Sequence, residues 1–482
     1  MTVVLAIDAG TTGVRTRAVF ADGRPSVSSY REFPQYFPEP GWVEHDAQEI
    51  WSAVLGTLRD VIARVDHVAA IGITNQRETI VAWNKSTGVP YAKAIVWQDR
   101  RTAKTCESLA SSLPLVRQTT GLVLDPYFSG TKIAWLLEHG VPDSADLAIG
   151  TIDSWLIWKL TSGTSFVTDM TNASRTMLFD INALTWSSSM CDLLGVPKHA
   201  LAKVLPSSGH FGTTSVEGLP TGIPITGVAG DQQAALFGQA CFEVGMAKNT
   251  YGTGSFVLLN VGSICPQPTD GMLTTVAWHL GDEAPTYALE GSIFVTGAAV
   301  QWLRDGLGII ETSADIGPLA ESVSDSGGVY VVPAFTGLGS PWWDPHARGT
   351  IVGITRGTSR AHIARAVVES MVFQTRDAIN AMTKASGVPL AELRVDGGAC
   401  VMDFMLQHQA NELSVPVLRP VDSESTALGA AFLAGLAVGV WPSLDAIKQT
   451  WQLDKRFEPQ PESGNYGQWT RAVQRSLNWS KI

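Results

Sequence analysis

The spacing of apolar and polar residues predicts a chain of alternating strands and helices. Near the N-terminus, VVLAI is an apolar run too short for a helix, and VRTRAVFA, after the turn DAGTTG, alternates with a period of two. Apolar residues then recur at helical spacing from Glu49 to Val65, and the apolar segment VAAIGIT is typical of a strand buried on both faces of a sheet. Two hairpin strands, a helix and a further strand are therefore expected first.

A similar order recurs after residue 240. NTYGTGSFVLLN predicts a strand, a glycine turn and a strand, and LRVD predicts a strand before a GG turn. Between them a long helix is expected from about Arg360 to Ser386, ended by Gly387. We therefore predict an α/β protein of two tandem halves, residues 1–240 and 241–482, with the boundary near 236–246.

Composition narrows the classes of function. The 482 residues are 45% hydrophobic, enough to bury large cores, and the net charge of −11 argues against nucleic acid as a partner. Five cysteines without CxxC spacing favour the reducing cytoplasm and argue against disulfides or a zinc site. Apolar runs fall short of the roughly 20 residues of a membrane span, and the N-terminus has no basic region, so no membrane insertion is expected.

Glycine-bearing turns follow three predicted strands directly. In open α/β sheets ligands bind beyond the carboxyl ends of strands, where backbone N–H groups and hydroxyls can bind phosphate and an Asp can bind Mg²⁺. Each turn alone is more typical of a simple hairpin, but turns in both halves indicate a nucleotide cleft. The common signatures GxxxxGK[ST] and GxGxxG are absent. The turns are DAGTTG (8–13), TYGTGS (250–255) and DGGA (396–399).

Polar residues at two further strand ends could bind a small substrate. Arg77 and Glu78 end a buried strand, and they can serve one ligand only if the strand has given way to a loop there. Asp231 follows the apolar strand ITGVAG and could act as a general base, since an ordinary Asp is ionised at neutral pH. The alternatives are a solvated ion pair at 77–78 and a helix N-cap at 231. Three nearby aromatic residues could equally be core residues: Trp97, Tyr127 and Phe256.

Longer motifs give the chain a resemblance that extends from end to end. They are GWVEHD, IGITNQRET, IVWQDRRT, TGLVLDPYFSGTK, TNASRTM, GDQQAALFGQ, GMAKNTYGTGSF, VVPAFTGLGSPWWDP and LRVDGGA. With YFSGTKIAWL and GTIVGITRGTSRAHIARAVVE, the chain resembles the FGGY family of carbohydrate kinases, and within it the bacterial members that phosphorylate glycerol. The resemblance implies two ribonuclease-H-like domains of the actin/hexokinase type with ATP between them. It also implies phosphoryl transfer from Mg²⁺-ATP to a terminal hydroxyl of glycerol, giving sn-glycerol 3-phosphate and ADP.

The resemblance also implies roles at matching positions. Asp231 matches the general base, and Asp8 and Asp231 match positions near the Mg²⁺. The residues implied to bind glycerol are Arg77, Glu78, Trp97, Tyr127, Asp231, Gln232 and Phe256. Those implied to bind ATP are Thr11, Thr12, Gly13, Arg15, Thr253, Gly297, Gln301, Gly398 and Met402. Gly13 stands where the family usually has Ser and Met402 where it usually has Asn, so we expect altered nucleotide contacts at these two positions.

Two other functions remain open at this stage. One is a kinase of the same family for another polyol or a ketose, against which the intact pocket residues argue. The other is a non-catalytic actin-like module that binds ATP, against which the presence of Asp8 and Asp231 argues. A homo-oligomer, dimeric or tetrameric, is also expected.

Overall fold

The structure is a computed structural model, and it describes residues 2–269, 271–461 and 465–481. The strands, in chain order, are β1 (Val3–Ala9), β2 (Gly13–Phe20), β3 (Val27–Glu32), β4 (Glu44–His45), β5 (Val68–Asn75), β6 (Ile80–Asn84), β7 (Ala94–Ile95), β8 (Leu147–Thr151), β9 (Val167–Asp169), β10 (Phe179–Asp180), β11 (Thr185–Trp186), β12 (Lys203–Leu205), β13 (Ser208–Thr213), β14 (Pro224–Gly230), β15 (Met246–Tyr251), β16 (Ser255–Gly262), β17 (Leu273–Trp278), β18 (Thr286–Ile293), β19 (Tyr330–Val332), β20 (Thr350–Val352), β21 (Glu392–Gly397), β22 (Val417–Pro420) and β23 (Leu453–Phe457).

The helices, in chain order, are α1 (Ala47–Ile62), α2 (Ala103–Ser108), α3 (Leu113–Thr120), α4 (Ser129–Glu138), α5 (Ile152–Leu160), α6 (Met170–Ala173), α7 (Ser188–Leu194), α8 (Asp231–Gly238), α9 (Gly297–Gln301), α10 (Ile316–Glu321), α11 (Arg360–Ser386), α12 (Asp403–Leu413), α13 (Ser425–Ala437), α14 (Leu444–Thr450) and α15 (Tyr466–Ser476). A π-helical stretch (Trp302–Gly306) continues α9, and a 3₁₀ turn (Gly398–Val401) precedes α12.

The first half is built on a six-stranded sheet with the order β13-β14-β5-β1-β2-β3. Strands β14, β5 and β1 run parallel, so their carboxyl ends lie at one edge of the sheet. Alternate residues of β1 pack on opposite faces, since Leu5 lies in the core cluster that contains α1 and Ala6 lies in the cluster that contains α13. This two-sided burial explains why the strand is a continuous apolar run.

The second half is built on a seven-stranded sheet with the order β17-β18-β16-β15-β21-β22-β23. Strands β15 and β21 are parallel, with Tyr251 opposite Gly397, so the two glycine turns that follow them are neighbours. The long helix α11 packs against β16, β18 and β19 and supplies much of this half's core. A smaller four-stranded sheet, in the order β4-β7-β6-β8, flanks the first half.

Helix α13 connects the two halves, because it lies against α8 and the first sheet although it belongs to the second half of the chain. The two helices are in backbone contact. A Cβ on Gly429 would lie 1.8 Å from the carbonyl oxygen of Ala234, and a Cβ on Gly238 would lie 1.9 Å from that of Ser425. Because the core is shared here, the division of the chain at residue 240 stays a prediction.

The two-half α/β architecture predicted from the sequence is confirmed, with differences at the ends of elements. Helix α1 begins earlier than the pattern indicated, since Asp46 accepts a hydrogen bond from the backbone N–H of Gln48 as its N-cap. Helix α11 has the predicted bounds and ends at Gly387 in the left-handed conformation. Strand β3, which extends the first hairpin, was not predicted. No helix in the described part of the chain is long and apolar enough to cross a membrane.

Candidate functional site

Three parallel strands bring Asp8, Arg77 and Asp231 to the same edge of the first sheet. Asp8 is paired with Thr74 of β5, and Thr74 is paired with Ala229 of β14, so the chain segments that follow these positions share one end of the sheet. The Nε of Arg77 lies 3.1 Å from Oδ1 of Asp231. Residues far apart in sequence therefore converge where the parallel strands end, as ligand sites of such sheets do.

The guanidinium of Arg77 is buried and almost fully engaged. Its Nη1 donates to Glu290 Oε2 at 2.5 Å and to Gln233 Oε1 at 3.2 Å. Its Nη2 donates to Glu290 Oε1 at 3.0 Å and to the hydroxyl of Tyr127 at 3.3 Å. The side chain is only 1% exposed, so these bonds rather than solvent determine its orientation.

Glu78 turns its carboxylate into the same buried network. The residue has φ +60°, a left-handed conformation that strands do not adopt. The strand has therefore given way to a loop at Glu78, which is the condition under which Arg77 and Glu78 can serve one ligand. Its Oε1 accepts from Nε of Arg175 at 2.7 Å and lies 3.9 Å from Nε of Arg77. The carboxylate is 2% exposed, which excludes a solvated ion pair, and burial raises its pKa.

Asp231 is the first residue of α8, and the N-cap position belongs to Gly230. Its Oδ1 accepts the backbone N–H of Gln232 at 2.7 Å and faces Arg77, while its side chain keeps 30% exposure toward the cleft. Burial raises the pKa of Asp231, and the positive charges of Arg77 and Lys248 oppose that rise. The N-cap alternative is therefore wrong, and Oδ2 is the oxygen available to a ligand.

Gln232 and Lys248 form a second polar pair beside Asp231. Lys248, on β15 of the second sheet, donates through Nζ to the amide oxygen of Gln232 and, at 3.0 Å, to the hydroxyl of Thr250. The side chain is fully buried, and burial lowers the pKa of Lys248 to about 8. This amide is thus held by a cation from the other half of the chain.

The aromatic residues form one wall of the pocket. Trp97 makes edge-to-face contacts with Tyr127 and Phe256, with ring centroids 5.7 and 6.3 Å apart. Arg77 lies over the ring of Phe256 at 5.9 Å. The indole Nε1 donates to Thr11 Oγ1 at 3.0 Å, which joins this wall to the first glycine turn.

The predicted ATP-binding residues of the first turn differ in exposure, since Thr11 and Arg15 are partly exposed and Gly13 is buried. Thr12 is exposed, and Arg15 forms an ion pair with Glu424. Gly13 has room for no side chain, because its Cβ would lie 2.5 Å from the hydroxyl of Tyr30 and 2.7 Å from a backbone oxygen of β3. The phenol of Tyr30 therefore places a hydroxyl at the turn, 3.5 Å from Oγ1 of Thr12.

The second turn is tied to the start of α9. The carbonyl of Thr253 accepts from the backbone N–H groups of Thr296 and Ala298, and the carbonyl of Gly252 accepts from Gly297. Gly252 and Thr253 are exposed, so the hydroxyl of Thr253 is accessible, while the N–H of Gly252 donates to the carbonyl of Gly254.

The remaining predicted nucleotide residues lie on other elements of the second half. Gln301 is exposed at the end of α9, Gly398 is exposed beside the second turn, and Met402 is buried at the N-cap of α12. Within the described ranges, no hydrogen bond connects Gln301 to the pocket around Arg77.

Asp8 lies on β1 at the start of the first glycine turn. Burial, together with the nearby negative charges of Asp231 and Glu424, raises the pKa of Asp8 to about 7, and the positive charge of Arg15 opposes that rise. Among residues 2–269, 271–461 and 465–481, no three His, Cys, Asp or Glu side chains are grouped so as to hold a metal. Asp8 and Asp231, whose negative charges act on each other, could still hold Mg²⁺, because this ion takes most of its ligands from water and substrate phosphates.

Sequence reasoning missed four residues that hold the site together: Arg175, Gln233, Lys248 and Glu290. Glu290 lies on β18 and is buried, and it also accepts from Arg175 Nη2 at 2.9 Å. Although burial raises the pKa of Glu290, the charges of Arg175 and Arg77 outweigh that effect and hold the pKa at about 2. The sequence pattern that could have revealed Glu290 is a charged residue within an otherwise apolar strand. Such a residue is rarely buried unless a residue of opposite charge pairs with it.

Comparisons with known proteins agree with this arrangement. Residues 3–238 match the N-terminal domain of the FGGY family of carbohydrate kinases, and residues 247–438 match its C-terminal domain. The chain is 54% identical to a protein named glycerol kinase from Symbiobacterium thermophilum, with 99% of both chains covered. It is 52% identical to glycerol kinase 2 of Thermotoga maritima over the whole of both chains.

Solved structures show the same fold. A crystal structure of Plasmodium falciparum glycerol kinase with ADP superposes with a TM-score of 0.93 at 36% identity, covering 99% of this chain and 98% of that one. A ligand-bound xylulose kinase from Lactobacillus acidophilus has a TM-score of 0.88 at 24% identity, covering 99% and 97%, which supports the fold alone. With both domain matches spanning most of its length, the chain belongs to the FGGY family of carbohydrate kinases.

Proposed function

We propose that this protein transfers the γ-phosphoryl group of ATP to a terminal hydroxyl of glycerol, giving sn-glycerol 3-phosphate and ADP. The observation that carries the proposal is the contact chain that joins Asp231 through Arg77, Tyr127 and Trp97 to Thr11 of the first glycine turn. A carboxylate able to take a proton, donors for hydroxyls and a turn suited to phosphate thus belong to one contact network. Full-length relatives named glycerol kinase support the choice of acceptor.

The pocket suits a small neutral triol. Arg77, Asp231, Tyr127 and Gln232 offer both donors and acceptors, and the hydroxyl proton of Tyr127 is free to be donated since its oxygen accepts from Arg77. Such a site rejects analogues that lack a hydroxyl, because its own polar groups would lose their partners. Trp97 and Phe256 cover the carbon atoms.

Glu78 also belongs to the proposed glycerol site, although its carboxylate is held mainly by Arg175. Its backbone carbonyl accepts from the hydroxyl of Ser129 at 2.9 Å, which fixes the loop in which it lies. Glu78 would therefore accept from glycerol with little freedom to adapt to a longer polyol.

Asp231 is the proposed general base. Oδ1 is occupied by Gln232 N–H and Arg77, so Oδ2 accepts the proton of the attacking hydroxyl while the oxygen attacks the γ-phosphorus in line with the leaving ADP oxygen. The P–O bond to ADP breaks as the new P–O bond forms. Positioning and neutralisation of charge supply most of the rate enhancement in this class of reaction.

The two turns are proposed to hold the triphosphate. The first sheet would contribute hydroxyls, N–H groups and a cation from Thr11, Thr12, Gly13 and Arg15. The second sheet would contribute the hydroxyl of Thr253. The nucleoside would lie toward the residues that follow in the second half: Gly297, Gln301, Gly398 and Met402.

Mg²⁺ is the proposed metal, which would be held by Asp8 and, through bound water, by Asp231, with the substrate phosphates completing its coordination. The bound ion would neutralise charge on the phosphates. The mutual repulsion of these two carboxylates in a buried position is the feature that supports a cation there.

The decisive experiment is a panel of acceptors with purified protein and Mg²⁺-ATP, measured as acceptor-dependent ADP release. We expect the highest kcat/KM with glycerol, ahead of erythritol, dihydroxyacetone and xylulose. A higher kcat/KM with another acceptor would favour a different polyol or ketose kinase. ATP binding without turnover of any acceptor would favour a non-catalytic module.

We also propose that the protein works in the cytoplasm as a homo-oligomer. All five cysteines are free thiols, which suits a reducing compartment. Light scattering coupled to size-exclusion chromatography would give the oligomeric state, and a monomer at working concentration would contradict the second part.

A further inference from the structure

Glu290 joins the two halves of the chain inside the pocket wall. It lies on β18 of the second sheet, yet its carboxylate binds two arginines of the first half, Arg77 and Arg175. Its Oε1 also accepts from Ser292 at 3.2 Å. The Glu290 side chain has no exposed surface, so it touches neither solvent nor a substrate in the cavity.

The bonds from Glu290 determine how Arg77 faces the pocket. Both terminal nitrogens of Arg77 bind the Glu290 carboxylate in the two-pronged geometry that fixes a guanidinium plane. With that edge fixed, Nε points to Asp231 and Nη2 reaches the hydroxyl of Tyr127. Asp231 and Tyr127 are two of the groups to which we assign the polyol hydroxyls.

The network pairs two buried carboxylates with two buried guanidinium groups. Glu290 and Glu78 face Arg77 and Arg175, and Arg175 bonds both carboxylates, at 2.9 and 2.7 Å. All four side chains are at most 2% exposed. Removing one carboxylate leaves a buried guanidinium with a missing partner, which moves to find another acceptor.

We propose that Glu290 is a positioning residue that sets the selectivity of the pocket for a triol by holding Arg77 against Asp231 and Tyr127. The inference deepens the proposed function and rests on it. Because Glu290 belongs to the second half, it also means that the polyol pocket is complete only while the two halves stay together.

The test is the selectivity between glycerol and propane-1,3-diol, which lacks the middle hydroxyl. The ratio of the two kcat/KM values does not depend on how much of a preparation is folded, so it separates positioning from stability. Glu290→Gln keeps the volume but puts an amide N–H₂ against an arginine, and Arg77 should rotate. We expect the ratio to fall about tenfold, through a higher KM for glycerol with an unchanged KM for ATP.

A matched control is Glu412→Gln, which removes a buried carboxylate on α12 that pairs with Arg376 on α11. It should lower Tm and leave the ratio as in the wild type. Should Glu290→Gln fail to fold, Glu290→Asp, one methylene shorter, takes its place and should lower the ratio about threefold.

A wild-type ratio in both Glu290 variants, with only Tm reduced, would overturn the inference. If wild-type protein itself does not phosphorylate glycerol, the proposed function fails instead, so the two failures are distinguishable.

Discussion

Replacing Asp231 by Asn tests the proposed base with little disturbance of the structure. Asn keeps an oxygen at the position of Oδ1, so the contacts to the N–H of Gln232 and to Nε of Arg77 are retained. What is lost is the proton-accepting oxygen at Oδ2 and one negative charge. General base catalysis contributes about 10²- to 10⁴-fold, so kcat should fall by that factor, an increase of about 3 to 5 kcal/mol in the barrier.

The assay is ADP release at saturating glycerol and ATP, together with calorimetric titration of glycerol binding. The Kd for glycerol should stay within about fivefold of wild type, because the donors of Arg77 and Tyr127 remain in place. Asp445→Asn, which removes a first-turn carboxylate from the exposed helix α14, is the control and should keep full turnover. A kcat within tenfold of wild type in Asp231→Asn would refute the assignment.

Three further changes test other parts of the structure. Tyr30→Phe removes the hydroxyl beside Thr12 and should raise the KM for ATP about threefold without changing the KM for glycerol. Gly429→Ala places a methyl group against the backbone of Ala234 and should lower the free energy of unfolding by about 3 kcal/mol in urea. Burial, reinforced by a neighbouring carboxylate, raises the pKa of Asp153 to about 7. Between pH 4 and pH 7 the folded protein therefore keeps a proton on Asp153 that the unfolded chain has released. Because the folded state binds one proton more, the free energy of unfolding should fall by about 1.4 kcal/mol for each pH unit in this range. Asp153→Asn should remove that part of the slope.

Each change has its own contradicting result. An unchanged KM for ATP in Tyr30→Phe would mean that this hydroxyl does not meet the phosphates. Gly467→Ala in α15, where a methyl group would meet open space, is the control for Gly429 and should not destabilise. Parallel pH–stability curves for wild type and Asp153→Asn would show that Asp153 is already ionised in the folded protein.

Local patterns predicted the scaffold well because they follow from short-range physics. Two-sided burial requires the apolar run of β1, and the left-handed Gly387 ends α11 as expected. The ends of α1 were harder to predict, since the Asp46 cap decides where the helix begins. The three glycine turns were found because each directly follows a strand.

The network behind the pocket could not be predicted in the same way. Glu290 is 213 positions from Arg77, and nothing near Glu290 in the sequence indicates its partner. The pairing depends on how the second sheet is placed against the first, which is a property of the whole fold. The motif likeness indicated the proposed substrate-binding residues but gave no information about Glu290 and Arg175, which bind Arg77 and Glu78.

Helix α8 is only eight residues long, yet it carries Asp231 at its first position and meets α13 along the rest of its length. Helix α13 in turn begins at Ser425, whose hydroxyl bonds Asp396 next to the third glycine turn. The backbone contact between the two helices therefore couples the position of Asp231 to that of the third glycine turn. A substitution that shifts α13 should also displace the proposed base, although the two groups lie on different halves of the chain.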